Sequence, residues 1–64
     1  MATFDMVRSN LLAKRDDALY WQRHYEVEYT QSKSDYSRRN AMYYEGLRRG
    51  YEVAIDELYA LKAS

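Results

Sequence analysis

Apolar residues first recur at steps of three and four from Phe4 onward: Phe4, Val7, Leu11, Ala18, Trp21 and Tyr25, with Lys14 the one polar member. That spacing marks one face of an α-helix. Thr3 stands where an N-cap belongs, and Asp5 sits in the first turn, where a carboxylate meets the positive end of the helix dipole. Carried past residue 28, the same phase reads Ser32, Asp35, Arg39, Met42, Gly46 and Arg49, which no helix would bury. A second series in a new phase follows: Asn40, Tyr44, Leu47, Tyr51, Ala54, Leu58 and Leu61. Between the two lies Thr30-Gln31-Ser32-Lys33-Ser34-Asp35, a run of capping and turn residues. The pattern therefore predicts one domain over residues 1–64. Helix 1 covers about 4–30, a turn about 31–35 and helix 2 about 35–62, with Ser32 or Ser34 capping the second helix.

An antiparallel arrangement sets the two series against each other. Phe4 then faces Leu61, Val7 Leu58, Leu11 Ala54, Lys14 Tyr51, Ala18 Leu47, Trp21 Tyr44 and Tyr25 Asn40. Large residues oppose small ones at Ala18 and Ala54, and the Lys14 stem can lie along Tyr51. The fold class read from the sequence is all-α, an antiparallel two-helix hairpin of coiled-coil character.

Composition narrows the chemistry. The chain has no cysteine and a single histidine, His24, so disulfides, thiolate redox chemistry and a structural zinc site all drop out. No proline interrupts the helices. Ten Lys and Arg balance ten Asp and Glu, which leaves no net field to attract nucleic acid or an anionic membrane. No stretch approaches the roughly 18 apolar residues that span a bilayer, and Met1 to Asp5 lacks the basic and apolar segments of a signal peptide. The expectation is a cytoplasmic protein without cofactor, metal or membrane partner. Phosphate loops, zinc signatures and nucleophile elbows are missing from the sequence, so no enzymatic activity is expected.

A chain of 64 residues buries a modest share of its surface and needs reinforcement, and with disulfides and metals gone the remaining route is association. Leu12 and Leu19 flank the first seam, and Tyr43, Ile55 and Tyr59 flank the second, widening both apolar arcs beyond what a hairpin covers. The simplest closure is a homodimer, two hairpins forming a four-helix bundle about a two-fold axis. A different protein partner is the alternative.

Eight tyrosines are the compositional oddity, since tyrosine buries a large ring while keeping its hydroxyl satisfied and so suits interfaces. Tyr25, Tyr44 and Tyr51 read as helix-helix filling. Tyr20, Tyr36, Tyr43 and Tyr59 lie off the seam and, with Leu12, Leu19 and Ile55, make the expected protein interface. Most of the tyrosines fall near the turn, leaving the open end aliphatic. Arg38, Arg39, Arg48 and Arg49, with Arg23, form the only basic concentration. Interleaved with Tyr36, Tyr43 and Tyr44, it is the one feature that could hold single-stranded nucleic acid or an acidic partner. Asp35 stands three and four residues before Arg38 and Arg39, as Glu45 does before Arg48 and Arg49, so a solvated ion-pair face is the simpler reading. His24 and Glu28, four apart, likewise read as a surface pair, and Asp16-Asp17 and Glu52 with Asp56-Glu57 as solvated acidic patches. Gly46 and Gly50, two glycines inside a helix, invite a close neighbour such as Leu19 or Tyr20, or else a partner helix.

Tyr44-Glu45-Gly46-Leu47, Gly50-Tyr51 and Ala54-Ile55-Asp56-Glu57-Leu58 together resemble the helical ends of many short reading frames in phages and other mobile elements. The resemblance is confined to residues 44–58. It implies an inhibitor of a host factor or defence system.

Overall fold

Thr3 opens the first helix as a true cap: its hydroxyl accepts from the Met6 amide at 3.2 Å, and its carbonyl accepts from Val7 at 3.0 Å. In the computed structural model, which describes residues 3–63, helix α1 spans Phe4–Ser32 and helix α2 spans Asp35–Ala63. The two helices run antiparallel and pack along their length, giving an all-α hairpin of about 46 × 17 × 14 Å.

The connection is only Lys33 and Ser34. Lys33 takes the left-handed conformation (φ 57°, ψ 27°), and its amide donates to the Tyr29 carbonyl at 2.8 Å, closing α1. This is the geometry in which glycine is usually found, because a side chain there costs roughly 1–2 kcal/mol. Lys33 holds it while laying its ammonium 5.4 Å from the Tyr29 ring centroid. Ser32 Oγ donates to the Glu28 carbonyl and accepts from the Ser34 amide at 3.3 Å, and the Ser34 carbonyl receives Arg38 N–H at 3.1 Å to start α2.

The helices are rotated relative to the seam expected from the sequence. On α1 one covered series runs Phe4, Arg8, Leu11, Arg15, Ala18, Gln22, Tyr25 and Tyr29, and on α2 Ser37, Ala41, Tyr44, Arg48, Tyr51, Ile55 and Leu58; Val7, Asn40, Leu47 and Ala54 of the expected seam are half-covered beside them. Both series keep the 3.5-residue mean spacing of paired helices. Eleven of the fourteen expected members are covered, and Trp21 meets Tyr44 as expected. Lys14, Trp21 and Leu61 instead turn outward, with Trp21 36% exposed at the edge. The rotation draws in the aliphatic flank: Leu12 and Leu19 become half-buried, and Ile55 falls to 7% exposure. Among the described residues only Ala18, Gln22, Ser37 and Ile55 are buried.

Candidate protein-interaction surface

Two polar positions inside the seam organise one edge of the hairpin. Gln22 accepts from Arg48 Nε at 2.8 Å through its Oε1, and Arg48 Nη1 reaches Glu52 Oε1 at 2.6 Å. A buried amide is therefore satisfied by a guanidinium from the other helix, which meets the requirement that buried polar groups be paired. Ser37 Oγ donates to Glu28 Oε2 at 3.2 Å and ties the helices together near the turn. Arg48 pairs with Glu52 rather than with Glu45, and its side chain is 20% exposed.

The opposite edge is aromatic. Tyr25 stacks on Tyr44 with centroids 5.9 Å apart and planes 6° from parallel, and Trp21 stacks on Tyr44 at 6.3 Å. Tyr36 meets Tyr25 edge-on, Tyr43 meets Tyr44, and Tyr20 meets Trp21, extending the cluster outward from the seam. Hydrogen bonding to Tyr36, then burial, then the proximity of Tyr36, Tyr44 and Glu28 push the Tyr25 phenol above its ordinary pKa. His24 packs edge-on against Trp21 and Tyr25 and places Nε2 3.8 Å from Glu28 Oε1, half exposed. Lys14, Asp17, Ala18, Tyr44, Leu47 and Tyr51 border a shallow depression further along this edge, so Lys14 does neighbour Tyr51, though from the rim.

The open end differs from the aliphatic cap read from the sequence. Phe4 is met edge-on by Tyr59 at 5.5 Å, and Lys62 Nζ sits 4.0 Å from its centroid. Arg8 lies 5.9 Å from the same ring. The Tyr59 hydroxyl nearby holds the Arg8 guanidinium charged even more firmly than usual. Tyr59 thus works within the hairpin while keeping part of its ring exposed.

The residues singled out for an interface therefore separate into groups. Tyr20, Tyr36 and Tyr43 are strongly exposed, Leu12 and Leu19 are half-covered by the hairpin itself, and Ile55 is spent in its core. Sequence reading missed the exposed apolar side chains of Met6, Val27, Met42 and Val53, since each lies on neither helix's 3,4 series. Val27 borders an open strip on α1 with Leu19, Tyr20, Arg23 and His24. Of the arginines, Arg38 reaches Asp35 at 4.0 Å and Arg49 reaches Glu45 at 2.7 Å, as the spacing suggests. Arg39 has no ion-pair partner among the described residues.

Gly46 and Gly50 are not packed against the hairpin. A Cβ built on either meets nothing within 4 Å, and both face away from α1. The expected contact with Leu19 or Tyr20 is absent because α2 turns its glycine face away from α1.

Among the described residues, no group of three or more His, Asp or Glu side chains converges as metal ligands would, and no helix is long and apolar enough to cross a membrane. No family model, curated protein or solved structure matches the chain.

Proposed function

We propose that this chain is a small, non-catalytic protein-protein interaction module that works by self-association. The carrying observation is the amount of apolar surface that the hairpin leaves uncovered. Met6, Tyr20, Val27, Tyr36, Met42, Tyr43, Val53 and Tyr59 stand exposed, on a molecule whose accessible surface is 4992 Å². A compact monomer of 7.7 kDa would expose about 4,300 Å² by the usual scaling of surface with mass. Surface of this kind is stable in water when another protein covers it.

A second copy is the simplest cover. With ten cationic and ten anionic side chains, two copies meet without net repulsion, and a short chain gains from association the reinforcement that its core does not supply. Tyrosines at the surface favour protein over nucleic acid as the occupant, because Arg48, Arg38 and Arg49 are already engaged by Glu52, Asp35 and Glu45. Sedimentation equilibrium over a wide concentration range tests the proposal. The expected result is a mass rising from 7.7 kDa towards twice that value as concentration increases. A single species of monomer mass throughout would overturn it.

A further inference from the structure

α2 carries a second seam on the side turned away from α1. Arg39, Tyr43, Gly46, Gly50, Val53 and Glu57 follow one another at alternating steps of four and three, and all six are exposed. Alternating steps of this kind keep one helix in contact with another along its length. Tyr43 is 61% exposed and Val53 56%, so the apolar part of the stripe is unoccupied. The glycines weaken α2, and nothing within the hairpin requires them.

The stripe is complementary to itself in one arrangement. If a second α2 lies antiparallel with the two-fold axis between Gly46 and Gly50, Gly46 faces the partner's Gly50 and Tyr43 faces the partner's Val53. Arg39 then faces the partner's Glu57. Each pairing occurs twice, as two-fold symmetry demands. The glycines stand at the closest approach, where two backbones can come to the lower end of the usual 8–10 Å separation, and large side chains oppose smaller ones on either side. Arg39 and Glu57 have no ion-pair partner within the hairpin among the described residues, and here they obtain one. Sliding the partner by one heptad in either direction sets Arg39 against the partner's Gly50, or Glu57 against the partner's Gly46. Parallel pairing sets like charge on like.

We infer that the outer face of α2 is a homodimer interface, two copies packing antiparallel across Gly46 and Gly50 with Arg39 paired to the partner's Glu57. This rests on the self-association proposed above and specifies its face, direction and register. The helices then lie in the order α1, α2, α2, α1, and Leu12, Leu19 and Ile55 take no part in the contact.

The test is sedimentation equilibrium of the full chain at low salt, with circular dichroism as the control for folding. Gly46→Leu adds bulk where the hairpin has open space but the dimer has none; the helical signal should persist while the dimer dissociation constant rises at least tenfold, about 1.4 kcal/mol. Arg39→Glu and Glu57→Arg should each weaken the dimer by roughly tenfold by setting like charges opposite one another at both ends. The double variant R39E/E57R should return to within about threefold of the starting affinity, since the reversed pair is again complementary. Unchanged dimerisation in all of these variants would overturn this interface and leave self-association standing through another face, such as the α1 strip around Tyr20 and Val27. A wild-type chain of monomer mass at every concentration would instead overturn self-association itself.

Discussion

Replacing Gly46 and Gly50 with alanine should make the hairpin markedly more stable. Both residues lie well inside α2, neither takes a positive φ, and an added Cβ meets no atom within 4 Å at either site. The methyl group therefore has no steric cost within the chain. The gain comes from the unfolded state, where glycine samples more backbone conformations than alanine and so loses more on entering the helix. At about 1 kcal/mol per site, the double variant G46A/G50A gains about 2 kcal/mol, a large fraction of the stability available to so short a chain. Since 1 kcal/mol moves the midpoint of a domain this size by roughly 4–8 °C, the melting temperature should rise by on the order of 8–16 °C. The measurement is urea and thermal unfolding followed by circular dichroism at 222 nm. It is made at a concentration low enough for each variant to sediment as a monomer, with the single variants included to test additivity. An unchanged urea m-value would show that the denatured state is equally exposed in all of them. A double variant no more stable than the parent would refute the reasoning, because it would mean that contacts within the hairpin hold the two glycines.

Three further outcomes follow from the geometry. Arg48→Ala should cost about 2 kcal/mol, because it leaves the buried Gln22 carbonyl oxygen without the donor now 2.8 Å away; a double-mutant cycle with Gln22→Leu measured by urea unfolding should show strong coupling, and additive losses would show that the two residues act separately. Lys33→Gly should stabilise the hairpin by about 0.5–1 kcal/mol, since relief of the left-handed side-chain strain exceeds the loss of an exposed cation-aromatic contact with Tyr29; a lower urea midpoint would mean that the Tyr29 contact dominates. Stability should fall as pH rises from about 10, because the Tyr25 pKa is raised in the folded state. The folded chain then retains a proton that the unfolded chain releases, so the contribution is complete below the unfolded pKa and is lost as pH climbs through the folded one. Tyr36→Phe should shift the Tyr25 titration, followed by ultraviolet absorbance against a Tyr25→Phe control, downward; an unmoved titration would remove Tyr36 as the leading cause.

The helices and their ends are matters of local chemistry and can be read from the chain alone. Without proline and with strong helix formers throughout, two helices follow from propensity and spacing, and the change of phase between Tyr25 and Asn40 requires a break. Thr3 and the Ser32-Lys33-Ser34 run mark the helix ends because caps are satisfied by neighbours a few residues away. The i to i+4 pair of Glu45 with Arg49 and the i to i+3 pair of Asp35 with Arg38 were legible for the same reason.

How each helix is turned about its own axis depends instead on packing between the two. Two neighbouring phases were open on α1, one carrying Val7, Lys14 and Trp21 and the other Arg8, Arg15 and Gln22, and hydropathy favours the first. The hairpin turns towards the second while keeping Val7 half-covered, which half-buries Leu12 and Leu19, buries Ile55 and lets Gln22 meet Arg48 across the seam. A polar pair that satisfies itself only when two distant segments meet leaves no periodic trace in either segment. Trp21 remains at the edge against Tyr44. The same rotation turns Tyr43, Gly46, Gly50 and Val53 outward, a stripe that belongs to neither buried series and gains meaning only once the face occupied by α1 is known.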